Sequence, residues 1–128
     1  MRALLDTHTF LWWNADDPQL SERARGFIAD GKNEIFLSAA SVWEIAIKAA
    51  KGRLVLPESP SIYVPQRMSL YRFRPLQVQV EHALRVYDLP PHHADPFDRL
   101  LIAQGELESL PIITADKAFQ YYKVEILW

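Results

Sequence analysis

Apolar residues fall along this chain in short runs, separated by stretches with helical spacing. Arg2-Ala3-Leu4-Leu5-Asp6 reads as a short buried strand that stops at a carboxylate, and Thr7 to Asn14 as a short helix. Asp16-Asp17-Pro18 breaks that helix, and Ser21 caps another that runs to about Asp30. Gly31-Lys32-Asn33 is a turn, and Glu34 to Ser38 a second strand. Ala40 to Lys51 has strong helical character and stops at Gly52, a favoured C-terminal cap. Leu54 to Pro60 predicts a loop, Ile62 to Met68 a helix and Tyr71 to Leu76 a third strand. Val80 to Asp88 is helical up to Pro90-Pro91, and His92 to Ala94 is a loop. Pro96 to Glu108 is a helix with proline at its first position. Pro111 to Thr114, Lys117 to Tyr122 and Val124 to Leu127 read as strand, short helix and strand.

Strands that alternate with helices and are themselves continuous apolar runs predict a parallel sheet covered on both faces. Sites in such sheets form beyond the carboxyl ends of the strands. The 128 residues contain no internal repeat and no linker, so a single domain over 1–128 is expected.

With 49% hydrophobic and 23% charged residues, the composition is that of a globular protein rather than a disordered one. The absence of cysteine removes disulfides, thiolate metal sites and thiol nucleophiles together, and fits a reducing compartment. No apolar run approaches the ~20 residues that span a bilayer. The first residues form a strand ending at Asp6, unlike a signal peptide, so a cytoplasmic location without a membrane role is expected. The formal charge of -2 is unusual for a nucleic-acid binder. It is compatible with one if the acids gather in a metal pocket while scattered cations touch phosphate.

The acids are the candidate chemistry, and each also has a bland role. Asp6 ends the first strand and could cap the following helix. Glu44 shares a helical stripe with Ser41, Lys48 and Lys51, opposite an apolar stripe of Trp43, Ala46, Ile47 and Ala50. That stripe is either a solvated face with a Glu44–Lys48 pair or the wall of a cleft. Asp95-Pro96-Phe97-Asp98 suits a helix start, with Asp95 as N-cap and Asp98 at the third position. Asp116 follows Ile112-Ile113-Thr114 and could cap the helix from Lys117, with Thr114 fixing the turn. Taken together, several acids would have to reach one sheet edge by accident. A single oxygen-rich pocket for a hard cation such as Mg²⁺ or Mn²⁺ explains them jointly. Such a cation also relieves the mutual repulsion of clustered carboxylates.

The motifs carry a family likeness. Leu4-Leu5-Asp6-Thr7-His8 with Trp12 resembles the opening of VapC-type PIN domains, and Ser41-Val42-Trp43-Glu44-Ile45 resembles their second motif. His93-Ala94-Asp95-Pro96-Phe97-Asp98-Arg99-Leu100-Leu101-Ile102-Ala103-Gln104 resembles their third, and Thr114-Ala115-Asp116 their fourth. The resemblance implies a three-layer α/β/α sandwich with a five-stranded parallel sheet, usually as a homodimer. It also implies a Mg²⁺- or Mn²⁺-dependent endoribonuclease, the toxin of a VapBC-type toxin–antitoxin pair, inhibited by a small VapB-like antitoxin. The catalytic acids carry over onto Asp6, Glu44, Asp98 and Asp116, with Asp95 as an additional metal-facing acid. RNA is the implied substrate, and structured RNAs such as tRNA are frequent targets in the family.

Other residues change this picture little. His8, His82, His92 and His93 lack a metal-binding spacing, and His93 is expected to fix the loop before Asp95. Phe10 to Trp13 form an aromatic-rich cluster, read first as core and second as a dimer or antitoxin contact. Lys48, Lys51, Arg53 and Arg99 are the cations nearest the motifs and are candidate phosphate contacts. A phosphoacceptor receiver domain is the rival with a similar sheet, but Tyr71 to Leu76 ends in no aspartate and no lysine ends the last strand. A non-catalytic PIN-like RNA- or protein-binding module is the rival from another class. It would be expected to have lost an acid, and none is lost.

Overall fold

A computed structural model describes all of residues 1–128. Five strands, β1 (Arg2–Leu5), β2 (Glu34–Ser38), β3 (Arg74–Leu76), β4 (Ile112–Ile113) and β5 (Ile126–Leu127), form one sheet. Its order is β3-β2-β1-β4-β5, and every neighbouring pair is parallel. Six α-helices surround it: α1 (Thr7–Ala15), α2 (Glu22–Ala29), α3 (Ala39–Ala50), α4 (Pro60–Tyr71), α5 (Val80–Arg85) and α6 (Pro96–Glu108). Short 3-10 helices cover Val86–Asp88 and Lys117–Tyr121.

The apolar strand runs place one core on each face. On β1, Ala3 and Leu5 join Phe10, Ile35, Leu37, Ile45 and Ile113 on one side, whereas Leu4 joins Leu101, Ile102, Ile112 and Phe119 on the other. This period-two division needs both faces of the sheet to be covered, and gives the expected α/β/α sandwich. Phe10 is wholly buried, and Leu11, Trp12 and Trp13 pack on the same core, so the aromatic cluster is mainly interior.

The departures from expectation are local. β3 is shorter than Tyr71 to Leu76 because Tyr71 completes α4 and Arg72, at φ 57°, ends that helix in the left-handed region. α4 extends well beyond Ile62 to Met68 and accommodates Pro65 internally. The helix from Val80 tightens to a 3-10 turn after Arg85, and the one from Lys117 is 3-10 throughout. β1 and β4 lie at the centre of the order, where the chain crosses from one half of the sheet to the other. The carboxyl edge at that crossing is the expected crevice.

Candidate active site

Asp6 lies immediately after β1 and before α1, in extended backbone at φ -66° and ψ 152°. Its side chain makes no cap bond to α1. Oδ2 instead accepts from Thr114 Oγ1 at 2.8 Å, across the β1–β4 pair. The carboxyl is therefore held from behind by one hydroxyl while the residue is only 7% exposed. The same Thr114 oxygen accepts from the Asp116 backbone N–H at 3.0 Å, so one threonine places two acids.

α3 begins directly after β2, with the Ser38 hydroxyl accepting from Ala40 N–H at 3.0 Å as its cap. The helix docks with its polar stripe inward. Glu44 is 4% exposed and Ser41 fully buried, while Trp43 is 61% exposed. Ala46 and Ala50 are exposed too. The buried face thus mixes Ala40 and Ile45 with Ser41 and Glu44, and the Thr7 hydroxyl is what meets the buried carboxylate. Thr7 Oγ1 lies 2.8 Å from Glu44 Oε1 and 2.9 Å from Ser41 Oγ. A hydroxyl has one proton, so donation to Glu44 makes the Ser41 contact an acceptance. Lys48, one turn on, pairs with Glu44 Oε2.

α6 runs back against the strands, so its first turn sits at the carboxyl edge. Asp95 Oδ1 accepts from the N–H groups of Phe97, at 2.8 Å, and Asp98, at 3.2 Å. It is a genuine N-cap, which leaves Oδ2 free. Asp98 in that turn faces the other acids. Burial, then the charges of Asp95, Asp6 and Glu44, push the Asp98 carboxyl up to about 7, against a lowering pull from His93. Burial likewise raises Asp6, opposed by the Thr114 hydrogen bond and the positive potential of His8, with Glu44 adding to the rise.

Asp116 combines both of its possible roles. Oδ1 accepts from Ala118 N–H at 3.0 Å and caps the 3-10 turn, while Oδ2 lies 2.9 Å from His93 Nε2. His93 Nδ1 lies 3.0 Å from the Tyr122 hydroxyl. Donor atoms of His93, Asp98 and Asp116 all lie within 4.8 Å of one another. His93, expected to fix the loop before Asp95, is tied to Asp116 and Tyr122, and its ring thereby also reaches the acid cluster. The spacing to Asp95 gave no hint, because its partner is on another element. The loop itself is tied by Arg99, whose guanidinium donates to the carbonyls of Val86 (2.9 Å), Pro90 (3.0 Å), Leu89 (3.2 Å) and His93 (3.4 Å). Arg99 is thus an anchor for the cluster's loop rather than a free phosphate contact.

Two concavities open here. One of about 280 Å³ is lined by Asp6, His8, Trp12, Ala115 and Asp116. A larger groove of about 630 Å³ runs from Thr7, His8 and Trp12 along α1, α3 and the loop before α4.

The sequence profile of the PIN domain matches residues 3–125. The chain belongs to the PIN domain family. Within it, Ribonuclease VapC16 of Mycobacterium tuberculosis is 47% identical over 58 residues, which cover 45% of this chain and 41% of that protein. The match thus spans less than half the length of that relative. Among solved structures, DNA-bound VapBC from Salmonella typhimurium superposes with a TM-score of 0.74 at 18% identity, over 98% of this chain and 96% of that one. VapBC2 from Rickettsia felis, bound to a DNA fragment from its promoter, gives 0.71 at 14% identity over 100% of both chains. At such identities the likeness speaks for the fold.

The donor chemistry of this PIN domain fits a hard divalent cation. The donors are carboxylate oxygens with one imidazole, and no thiolate exists in the chain. Burial first, and then neighbouring carboxylates, raise the Asp98 and Asp6 carboxyls, and a cation in contact with them would oppose both effects. His82 shows the contrast. It also lies in a group of possible donors, with Glu81 and Glu108, but its Nδ1 accepts from Gln79 N–H at 2.9 Å. The ring proton must then sit on Nε2, directed at Glu108 at 2.9 Å, which leaves no lone pair for a metal.

Proposed function

We propose that this PIN domain is a metal-dependent endoribonuclease, the toxin of a VapBC-type pair, with Asp6, Glu44, Asp98 and Asp116 as its catalytic acids. The observation that carries the reading is the crowding of Asp98 by Asp95, Asp6 and Glu44, beside His93 and Asp116, at the carboxyl edge of the sheet. The partial relative named a ribonuclease supports the choice of RNA.

Asp6, Asp98 and Asp116 would hold Mg²⁺ or Mn²⁺, with Glu44 as a further ligand or orienting base and Asp95 contributing its free Oδ2. When bound, the ion lowers the pKa of water and offsets charge on the phosphate. The chain's own residues set the stage. Thr114 fixes Asp6 and Asp116 relative to each other, and Thr7 and Lys48 hold both oxygens of Glu44. Water oxygen adds to phosphorus and the bond to the 3′ oxygen breaks, giving a 3′-hydroxyl and a 5′-phosphate with no cyclic phosphate. The assay is RNA cleavage with and without EDTA, followed by end-group analysis. We expect loss of cleavage in EDTA and 5′-phosphate ends; cleavage that persists, or 2′,3′-cyclic ends, would remove the acids from the chemistry.

The partners follow the same reading. An antitoxin segment bearing an arginine would pair with the acid cluster in competition with the metal. The solved neighbours are VapBC complexes, which supports a protein partner of this kind. A homodimer is part of the proposal, and the exposed Trp43, stacked edge-on against Phe97 at 5.3 Å, is a candidate contact. Light scattering that finds only monomer at micromolar concentration would remove the dimer.

A further inference from the structure

Lysine and arginine side chains answer the acid cluster at one point. Among the ion pairs of the chain, only Lys48–Glu44 joins a lysine or arginine to one of Asp6, Glu44, Asp95, Asp98 and Asp116. The pair is set by helix geometry, with the acid four residues before the lysine on α3, which is the favoured order. It is anchored inside the protein. The Glu44 side chain is 6% exposed and that of Lys48 40%, and the second Glu44 oxygen accepts from Thr7 Oγ1 at 2.8 Å. The hydrogen bond to Glu44 holds the Lys48 ammonium above the usual lysine range against partial burial, and the charges of Glu44, Asp95 and Asp98 add to the rise. The ammonium is therefore a permanent charge at the flank of the cluster.

The acids themselves divide into two parts. Donor atoms of His93, Asp98 and Asp116 lie within 4.8 Å of one another, and Glu44 is outside that group. Asp6 is tied to the same part through Thr114, which donates to Asp6 and accepts from the Asp116 N–H. Glu44 belongs to the other part, with Thr7 and Lys48 on its two oxygens. Sites that use two divalent ions hold them roughly 3.5–4 Å apart and need acids for both. A second ion here would need Glu44, and would meet the ammonium on Oε2. Two cations on one carboxylate repel each other. The ammonium neutralises acids as an ion does, but it has no open coordination position and cannot activate water.

We infer that Lys48, seated on Glu44, takes the place of a second metal ion, so that this site holds one divalent cation and Glu44 is not among its ligands. The inference rests on the metal-dependent reading above and deepens it, moving Glu44 from the ligand set to the seat of a fixed charge. Lys48 is a positioning residue: it holds Glu44 and offers positive charge that chelation does not remove.

The test counts bound Mn²⁺ on the full chain, by calorimetry and by loss of the free-ion paramagnetic resonance signal. Wild type should bind one equivalent. Lys48→Met leaves Glu44 without its cation, so a second equivalent should appear, with an affinity roughly tenfold or more above any second binding to wild type. Lys48→Arg keeps the charge and should stay at one. Glu44→Gln with Lys48 intact should leave the first equivalent within about threefold, and Glu44→Gln added to Lys48→Met should remove the second. Circular dichroism checks each fold, and the wild-type count and the Lys48→Arg count decide the matter if Lys48→Met does not fold. Two equivalents of similar affinity in wild type, a Lys48→Met variant that folds and stays at one, or a first equivalent weakened tenfold by Glu44→Gln would overturn the inference and leave the metal-dependent reading intact. One equivalent in wild type and two in Lys48→Met, with RNA left uncut, would support the inference and overturn the nuclease reading. No Mn²⁺ bound by wild type at millimolar concentration would overturn both.

Discussion

Two polar clusters reach into this domain from its surface, and they are built on opposite principles. In one, Gln104 on α6 accepts from Ser38 Oγ at 2.6 Å and donates to the Gln77 carbonyl at 3.2 Å, while His82 is held between Gln79 N–H and Glu108. Donor meets acceptor at each step, and the lone carboxylate at its end faces an N–H. In the other, Asp6, Glu44, Asp95, Asp98 and Asp116 gather with few cations to answer them, and burial and mutual repulsion hold Asp98 near 7. The chain evidently can satisfy polar groups inside it. Where it leaves acids in excess, the arrangement is what the proposed metal site requires.

The contrast is sharpest under substitution of Asp6. Asp6→Asn keeps the shape and the Thr114 contact but removes a charge from the proposed metal site. RNA cleavage should fall by roughly a thousandfold, on the order of 4 kcal/mol in the barrier. Far-ultraviolet circular dichroism should be unchanged, and Mn²⁺ binding by calorimetry should be lost or severely weakened. A variant that cleaves RNA within a few-fold of wild type would show that the acid excess serves something else.

The balanced cluster should behave in the reverse way. Gln104→Ala leaves Ser38 and the Gln77 carbonyl without their partner, so urea unfolding should show a loss of about 1–3 kcal/mol. Metal affinity per folded molecule should change little. If the same variant folds with full stability but binds Mn²⁺ poorly, the two clusters are coupled through α6 and the division drawn here is wrong.

These roles were unevenly legible in the sequence. The alternation of apolar runs and helical stretches was enough for the parallel sandwich, because burial on both faces leaves a continuous hydrophobic signature on β1 and β4. The acids Asp6 and Asp116 stood out by following such runs. Glu44 could not be oriented locally: the stripe of Ser41, Glu44 and Lys48 looks like a solvated face, and only docking against Thr7 turns it inward. The partners of His93 and the anchoring role of Arg99 were hidden for a related reason. Their partners, Asp116 and the carbonyls from Val86 to His93, are brought near only by the fold. The end of α4 was misread because Tyr71 and Phe73 carry strand-like side chains, while the left-handed Arg72 between them sets the boundary.

Acidity separates the clusters a third way. The folded protein holds the Asp98 proton more tightly than the unfolded chain, at about 7 against 3.8. The unfolded state therefore binds fewer protons between those values, and stability falls as pH rises through that window. The stabilisation is fully present below about 4 and gone above about 7, and Asp6 adds in the same direction. After allowance for partial solvent exposure, the change should be on the order of 1–2 kcal/mol. Metal-free protein should melt lower at pH 8 than at pH 5, and Asp98→Asn should flatten that slope. Mn²⁺ should bind more tightly as pH rises, releasing about half a proton at pH 7 from Asp98 alone. A metal-free melting temperature that rises steadily from pH 5 to 8 in wild type, unchanged in the variant, would contradict the raised carboxyl.

Asp95 stands between the two principles, being both a satisfied cap and a member of the acid excess. Its Oδ1 is committed to Phe97 N–H and Asp98 N–H, and its charge is the largest of those raising Asp98. Two substitutions separate these parts. Asp95→Ala removes cap and charge together, and the lost cap alone costs about 1 kcal/mol. Asp95→Asn retains an oxygen for the two N–H groups, so most of the cap survives while the repulsion on Asp98 is relieved. The metal-free Asn variant should therefore equal or exceed wild type in stability at pH 8, and the Ala variant should fall below the Asn variant. If Asp95 serves only as a cap, the Asn variant should also bind Mn²⁺ as tightly as wild type within about twofold, since a half kcal/mol corresponds to a factor of that size. A loss of tenfold or more in the Asn variant, with its cap and its fold preserved, would instead place the free Oδ2 among the metal's ligands.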